Sequence, residues 1–508
     1  MKVNQLKAGA GLSYIILALT NIVGLVYTPY MLRMMGQSEY GLYSLVASVI
    51  AYLTILDMGF GNTIIRYTAK FRAEGKTDEL YSMFGMFISL YSIISIITVV
   101  LGAVLYFNID LIYSQSLTTD ELRKIHIMML LMIFNLAFTF PLSIFGSIIT
   151  AYENFIFQRV IKIARIILNT VVMIVLLEIG YRAIGMVVLI TVLNLITLIL
   201  NLWYSKFRLK IKIYFRNFNW GLFKELAGYS FYIFLGALVD RLYWSSGQVI
   251  LGAVIGTAAV AVFAVAIQLE QMYMSFSTAI PGVFLPKITA MTTKEHSHKE
   301  ISDLFIKTGR IQFIIMSFVL AGFILFGHQF IILWAGPDYS ETYYITLLFF
   351  VPLTVPLIQN IGLTILMARN QFKFRSVLYI FIALLSVVLQ LLLVKKYGGI
   401  GSAIAISVAL VLGQIIAMNI YYHKKQKIDI PKFWKEIGKM AVSPVIIGLA
   451  TFVVLRYIEL NNPIKLALGI VIFSAVYLPV FWLTSMNEYE KQLLMSPLQK
   501  VINKVFRK

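Results

Sequence analysis

Apolar residues fill this chain in blocks of eighteen or more, divided by short polar segments, from one end to the other. Wound as an α-helix at about 1.5 Å per residue, such a block crosses a hydrocarbon core of about 30 Å. The pattern predicts about fourteen spans, near residues 10–34, 41–64, 81–107, 124–150, 156–178, 184–204, 224–248, 254–285, 304–327, 342–368, 374–394, 400–422, 437–457 and 464–486. The expected fold class is an all-α integral membrane protein. The first block, Leu12 to Met31, is longer than the apolar core of a signal peptide and no Ala-x-Ala-like site follows it, so it reads as a retained helix.

The blocks are written twice. Lys7, Gly11 and Ser13 recur 217 positions later as Lys224, Gly228 and Ser230, and Phe155 and Phe157 recur as Phe372 and Phe374. With one residue of slippage, Tyr181, Ile184 and Gly185 meet Tyr397, Ile400 and Gly401. Six spans per copy is an even number, so both copies enter the bilayer from the same side and form parallel repeats about an axis along the membrane normal. The expected organisation is a six-helix lobe over 1–212, a second over 213–425 and a central cavity between them. Spans 13 and 14 and a terminal segment complete it over 426–508. A duplicated bundle of this kind is the ground plan of a transporter.

Composition supports the membrane reading: 60% of the 508 residues are hydrophobic and 13% charged. The net charge of +20 invites a nucleic-acid partner, but topology explains it better. With the N-terminus in the cytoplasm, 34 of the 43 basic residues face that side, as the positive-inside rule requires. They would meet anionic membrane lipids there, and no nucleic acid is needed. From Lys206 to Ile213 basic and apolar residues alternate, which predicts an extended strip at the lipid interface. After Ser496-Pro497, Leu498, Val501 and Val505 share one helical stripe and Lys500, Lys504 and Lys508 another. That tail reads either as an interfacial amphipathic helix or as a solvated end.

Catalytic signatures are missing. The chain has no Cys, no Gly-x-x-x-x-Gly-Lys-Ser/Thr loop, no His-Glu-x-x-His and no Asp-x-Asp pair. His296 and His298 stand two apart in a polar loop and read as solvated, and Gly59-Phe-Gly61 lacks the strand–helix setting of a dinucleotide site. No metal, cofactor or enzymatic activity is expected.

Charge inside the bilayer costs ~2.5–3.5 kcal/mol per residue on insertion scales, so each instance asks for a reason. Asp57 lies past the middle of span 2, Asp240 and Arg241 near the middle of span 7, and Glu270 near the middle of span 8. Arg241, Trp244 and Gln248 share a helical face by their spacing of three and four. That face offers a guanidinium for phosphate, an indole for stacking a sugar ring and an amide for hydroxyls. Glu270, Asp240 and Asp57 are the candidates for a coupling ion. Arg33 and Arg66, near the ends of spans 1 and 2, complete the candidate cavity set, where they can also snorkel. The alternative is that Asp240 or Glu270 pairs with Arg241 and only locks helices together. Pro29, Pro141, Pro281, Pro286, Pro352 and Pro356 mark possible kinks.

The run Leu32-Arg-Met-Met-Gly36-Gln-Ser-Glu39-Tyr40-Gly41-Leu42-Tyr43, then Asp57-Met-Gly59-Phe-Gly61 and Arg66, resembles the opening of Wzx-type polysaccharide flippases of the MATE-like superfamily. Ala151-Tyr-Glu-Asn154-Phe155 and Ala368-Arg-Asn370-Gln-Phe372 fit the same family. The resemblance covers about residues 1–425. It implies an inner bundle of spans 1, 2, 7 and 8 working by alternating access in a bacterial plasma membrane, with both termini cytoplasmic. Its cargo would be a polyprenyl-pyrophosphate-linked oligosaccharide, with a polysaccharide polymerase and glycosyltransferases as working partners.

Three other readings compete. A lipid II flippase usually carries several arginines in its first and seventh spans, whereas here span 1 has only Arg33 and span 7 only Arg241. A multidrug exporter often places a carboxylate in span 1, where the most polar deep residue here is Asn21. A membrane polymerase or glycosyltransferase is disfavoured by the duplication and by the lack of Asp-x-Asp.

Overall fold

A computed structural model describes residues 5–215, 220–278, 298–369 and 373–493, with 291, 371 and 495. Outside these fall the expected kinks at Pro281 and Pro286, His296, Asn370, Phe372 and the amphipathic tail beyond Pro497. Every regular element among the described residues is helical. The reason lies in the solvent: hydrocarbon offers peptide groups no partner, and a helix satisfies them within one segment.

The helices are α1 (Gln5–Met35), α2 (Gln37–Leu53), α3 (Phe60–Ala73), α4 (Thr77–Tyr113), α5 (Thr119–Ala151), α6 (Phe155–Glu178), α7 (Ala183–Trp203), α8 (Trp220–Trp244), α9 (Ser246–Val254) and α10 (Thr257–Thr278). After them come α11 (His298–Trp334), α12 (Thr342–Ile358), α13 (Ile361–Ala368), α14 (Lys373–Leu410), α15 (Met418–Lys424), α16 (Ile430–Leu455) and α17 (Pro463–Thr484). Twelve stretches among the described residues are long and apolar enough to cross a membrane, so this is a multi-pass membrane protein. Polar residues start several of them. Thr118 and Glu121 form a reciprocal capping box at α5, and Asp429 and Asn462 cap α16 and α17, each with Pro in the first turn.

One stretch, Lys373–Lys424, would be about 78 Å long if straight. It turns back at Gly398, whose φ of 55° suits a residue without a β-carbon. Ser402 Oγ donates to Gln390 Oε1 at 2.9 Å, although twelve residues of straight helix span about 18 Å. The stretch is therefore a helical hairpin. The expected extended strip over 206–213 is corrected in part. Tyr204–Arg208 continues α7 as a π-helical turn, and irregular chain begins only near Lys210.

The repeat written in the sequence reappears in the folded chain. Phe157 stacks on Tyr204 at 3.8 Å between centroids, and 217 positions later Phe374 stacks on Tyr421 at 4.2 Å. Positive-φ Gly36 and Gly180 match positive-φ Gly256 and Gly398 at offsets of 220 and 218.

Packing divides the chain into two compact units, Met1–Ala264 with Val387–Ser402, and Val265–Ser386 with Ala403–Lys508. These units and the sequence repeats divide the chain at different places. In the first unit α1 lies on α6, α4 on α5, and α5 on α7. In the second unit α11 is gripped by α12, α16 and α17. Phe318, Phe473, Tyr477 and Phe481 form an aromatic seam there, with Phe318 and Phe473 stacked at 6.0 Å. At the basic end of α11, buried Arg310 donates from Nε to Glu490 Oε1 at 2.6 Å and from Nη1 to Glu436 Oε2 at 3.0 Å. It also reaches the Ser485 carbonyl at 3.2 Å.

Glu490 is 1% exposed, so losing its partner would strand a buried carboxylate. Arg310→Met should cost about 3–5 kcal/mol, seen as a lower melting temperature in detergent. Adding Glu490→Leu should recover much of that loss, because Glu436 keeps Lys439 at 2.8 Å.

Candidate functional site

Two spans of the first unit are irregular, and three of the six charged candidates, Asp57, Asp240 and Arg241, lie near the irregular segments. Span 2 is α2 and α3 joined by a 3₁₀ turn, Thr54–Asp57, followed by Met58 and Gly59 in the left-handed region at φ 51° and 69°. The Asp57-Met-Gly59-Phe-Gly61 motif is this break. Gly61 brings α3 against α5, where an added β-carbon would sit 3.2 Å from Ser147 Oγ. Span 7 is loosened at the single residue Ser245, between α8 and α9, where φ −105° and ψ −24° stay in the right-handed helical region and the i→i−4 bonds continue. Irregular backbone at membrane depth survives only where protein or a water-lined cavity satisfies it.

Here protein supplies those bonds. The Arg241 carbonyl, at the end of α8, accepts from Ser245 N at 3.0 Å and from Tyr52 Oη at 3.3 Å. Past the break, Gln390 Nε2 donates to Ser246 Oγ at 3.0 Å, and Ser402 Oγ donates to Gln390 Oε1. Ser246, Gln390 and Ser402 are all buried.

The expected Arg241, Trp244, Gln248 face is turned, at two of its three positions, onto α2 and its break. Half-buried Arg241 points Nη2 at Thr54 Oγ1, 3.4 Å away, and Trp244 lies half-buried one turn on. Gln248 is buried, and its Oε1 accepts a hydrogen bond from Ser48. Its amide oxygen is thus committed to holding α9 on α2. Asp240 is exposed. Asp57, half-buried, turns to α4 and accepts from Tyr91 Oη at 2.8 Å. Arg33, in the last turn of α1, and Arg66, in α3, are exposed. Glu270 belongs to the second unit, where it is 1% exposed.

The Gly36–Gly41 run builds a clamp. Ser38 Oγ and Thr257 Oγ1 both donate to Glu121 Oε1, at 2.6 and 2.7 Å. Glu39 takes Lys124 Nζ at 2.6 Å and the Ala183 amide at 3.2 Å. Ser116 Oγ donates to the Gly252 carbonyl at 2.6 Å. Gly41 lies so close to α10 that a β-carbon there would overlap the Thr257 carbonyl. The first turns of α2, α5, α7 and α10 are thereby fastened to one another.

Sequence reasoning missed a second polar region in this unit. Arg159, Lys162 and Arg165, after span 4, are among the 34 basic residues expected on the cytoplasmic side. They stand on the first half of α6, in a cavity of about 570 Å³ that Tyr27, Gln158 and Asn169 also line. Their spacing of three, which puts them on one helical face, was the available signal. Buried Gln390 carried none, since one Gln in an apolar run says nothing of its partners. Among the described residues no cluster of His, Asp or Glu suits a metal ion.

Residues 6–292, more than half of the chain, match the family described as "Polysaccharide biosynthesis protein". The chain belongs to that family. A curated relative, "Putative O-antigen transporter" of Salmonella typhi, is 28% identical over 121 residues. That match spans 23% of this chain and about a quarter, 26%, of the relative's length. Two solved structures share the fold. "Lipid II flippase MurJ, inward closed conformation" superposes with a TM-score of 0.71 at 17% identity, over 97% of this chain and 99% of that one. An inward-facing multidrug resistance MATE family transporter of the MOP superfamily gives 0.69 at 13% identity, over 82% and 96%. The Wzx-type resemblance carried by Leu32–Tyr43 and Asp57–Gly61 fits this family and this fold.

Gln248 and Arg241 should separate when substituted. Gln248→Leu should cost about 1–2 kcal/mol of stability, read as a melting shift in detergent. Polymer export per molecule of folded protein should stay near wild type.

Proposed function

We propose that this protein is a flippase for a polyprenyl-pyrophosphate-linked oligosaccharide, moved from the cytoplasmic to the outer leaflet by alternating access for capsule, exopolysaccharide or wall-polymer synthesis. The observation that carries this reading is Arg241, a guanidinium held where two interrupted membrane helices meet, in a chain of the polysaccharide biosynthesis family. Discontinuous helices at membrane depth are where transporters bind polar cargo. A planar guanidinium binds phosphate oxygens in pairs, and Trp244 beside it presents an aromatic face to sugar.

The same reading takes the chain as fourteen spans in a bacterial plasma membrane, two six-span lobes of parallel topology plus two, with cytoplasmic termini. Arg33, Arg66 and Asp240, all exposed, would line the cargo's route, and Gln248 would hold α9 on α2 beside it. Glu270 is the first candidate for a coupling proton, with Asp240 and Asp57 behind it. Glycosyltransferases would supply the cargo and a polymerase would consume it.

Deletion of the gene, in a strain without a second flippase, should strand lipid-linked repeat units on the inner leaflet and abolish the surface polymer. Normal polymer would sink the reading, and loss of growth with arrested peptidoglycan would move the cargo to lipid II. Arg241→Ala should lower export at least about tenfold at equal protein level, as loss of one charged contact predicts, with Arg241→Lys close behind if paired contact matters. Undiminished export in both removes Arg241 from the route. Glu270→Gln should flatten the pH dependence of transport in proteoliposomes. An unchanged profile would make Glu270 structural.

A further inference from the structure

The cavity within α1, α5, α6 and α7 is built with one sign of charge. Arg159, Lys162 and Arg165 enter it from successive turns of α6, and no carboxylate lines it. Among the described residues neither Arg159 nor Lys162 has an ion-pair partner. The α6 N-terminus, Phe155, also borders the cavity, and a helix N-terminus is itself the positive end of the backbone dipole. The helix therefore carries its cations at the end where its own dipole opposes them, a placement that disfavours an empty pocket and favours an anion.

Snorkelling does not account for the arrangement. Arg165 lies about 15 Å along α6, near half the depth of a bilayer core. It is held there: Nη1 donates to Asn194 Oδ1 at 3.2 Å, and Asn194 Nδ2 in turn donates to Asn135 Oδ1 at 2.6 Å and Thr139 Oγ1 at 2.8 Å. Three helices are used to fix one guanidinium at the cavity wall. In the same lining, the hydroxyl of Tyr27 on α1 is buried with no hydrogen-bond partner among the described residues. A buried phenol without an acceptor is rare in native structures and asks for one. Oxygen atoms of an anion would supply that acceptor and the missing counter-charge together.

We propose that this cavity binds a phosphate-bearing anion, separately from the Arg241 face, with which it shares no lining residue. Arg159 and Lys162 supply charge toward the start of α6, Arg165 a preset planar fork further along it, and Tyr27 a neutral donor. The volume, about 570 Å³, admits a diphosphate with part of what it is attached to. Two sources carry that chemistry: the diphosphate of a lipid-linked cargo and the headgroup of an anionic phospholipid.

The test uses full-length protein carrying Arg241→Ala, so that the broken-span face contributes nothing and failure of the cargo reading leaves it intact. Sodium pyrophosphate is titrated calorimetrically in a neutral detergent. Retention of phosphatidylglycerol against phosphatidylcholine from mixed nanodiscs is read by native mass spectrometry. At least one probe should bind, and Arg159→Gln with Lys162→Gln should weaken it about tenfold or more. Tyr27→Phe, which removes one oxygen and keeps the ring, should weaken it about threefold, and it serves if the double variant fails to fold. Pyrophosphate that binds and displaces phosphatidylglycerol identifies a site for the phosphate group itself, and retained phosphatidylglycerol without pyrophosphate binding identifies the headgroup. Binding of neither probe above the phosphatidylcholine level overturns the proposal. So does unchanged binding in the folded double variant and in Tyr27→Phe.

Discussion

A peptide group in hydrocarbon has no water to bond to, and the rest of this structure follows from that constraint. It makes every regular element among the described residues a helix, and it makes each interruption conspicuous. Three interruptions are satisfied in different ways. At Ser245 the Tyr52 hydroxyl reaches the Arg241 carbonyl, and buried Gln390 and Ser402 reach Ser246. At Thr54–Asp57 the chain tightens into a 3₁₀ turn and Tyr91 caps the Asp57 carboxylate. At Gly398 the helix simply reverses. Polar residues of spans 2 and 7 serve the irregular backbone there, close to where cargo binding is proposed.

Charge is handled in two contrasting ways. Arg310 with Glu436 and Glu490, and Lys124 with Glu39, are closed pairs that fasten helices together. Arg241, Arg159 and Lys162 are not closed in this way: Arg241 meets a neutral hydroxyl, and the α6 cations face a cavity without carboxylates. Cations without closed pairing in membrane-spanning helices are candidate sites for an anionic group.

The duplication links sequence and structure. Both copies keep the ring pair at 157/204 and 374/421, because that pair ties a span's start to another span's end whatever the cavity holds. They do not keep the chemistry: at offsets of 217 and 220, Arg241 meets Gly24 and Glu270 meets Ile50. Scaffold contacts are repeated, whereas Arg241 and Glu270 have no counterpart in the first copy.

Membrane residence and the helical fold were determined by the sequence alone, because an apolar block of eighteen residues has one stable state in lipid and needs no partner to adopt it. The family motif was legible too, since its glycines and carboxylates sit at fixed short spacing. Only tertiary structure decided what those residues do. Ser38 and Glu39 belong to that motif, but their partners Glu121, Lys124, Thr257 and the Ala183 amide lie from 83 to 219 positions away. Gln248 read as a cargo ligand until Ser48 took its oxygen. Arg159, Lys162 and Arg165 are shown only by the folded chain to line one cavity with residues of α1, α5 and α7, Lys162 staying exposed. Local pattern specifies which segments become helices, but a polar side chain in a membrane acquires its role from a partner on another helix, and no local pattern names that partner.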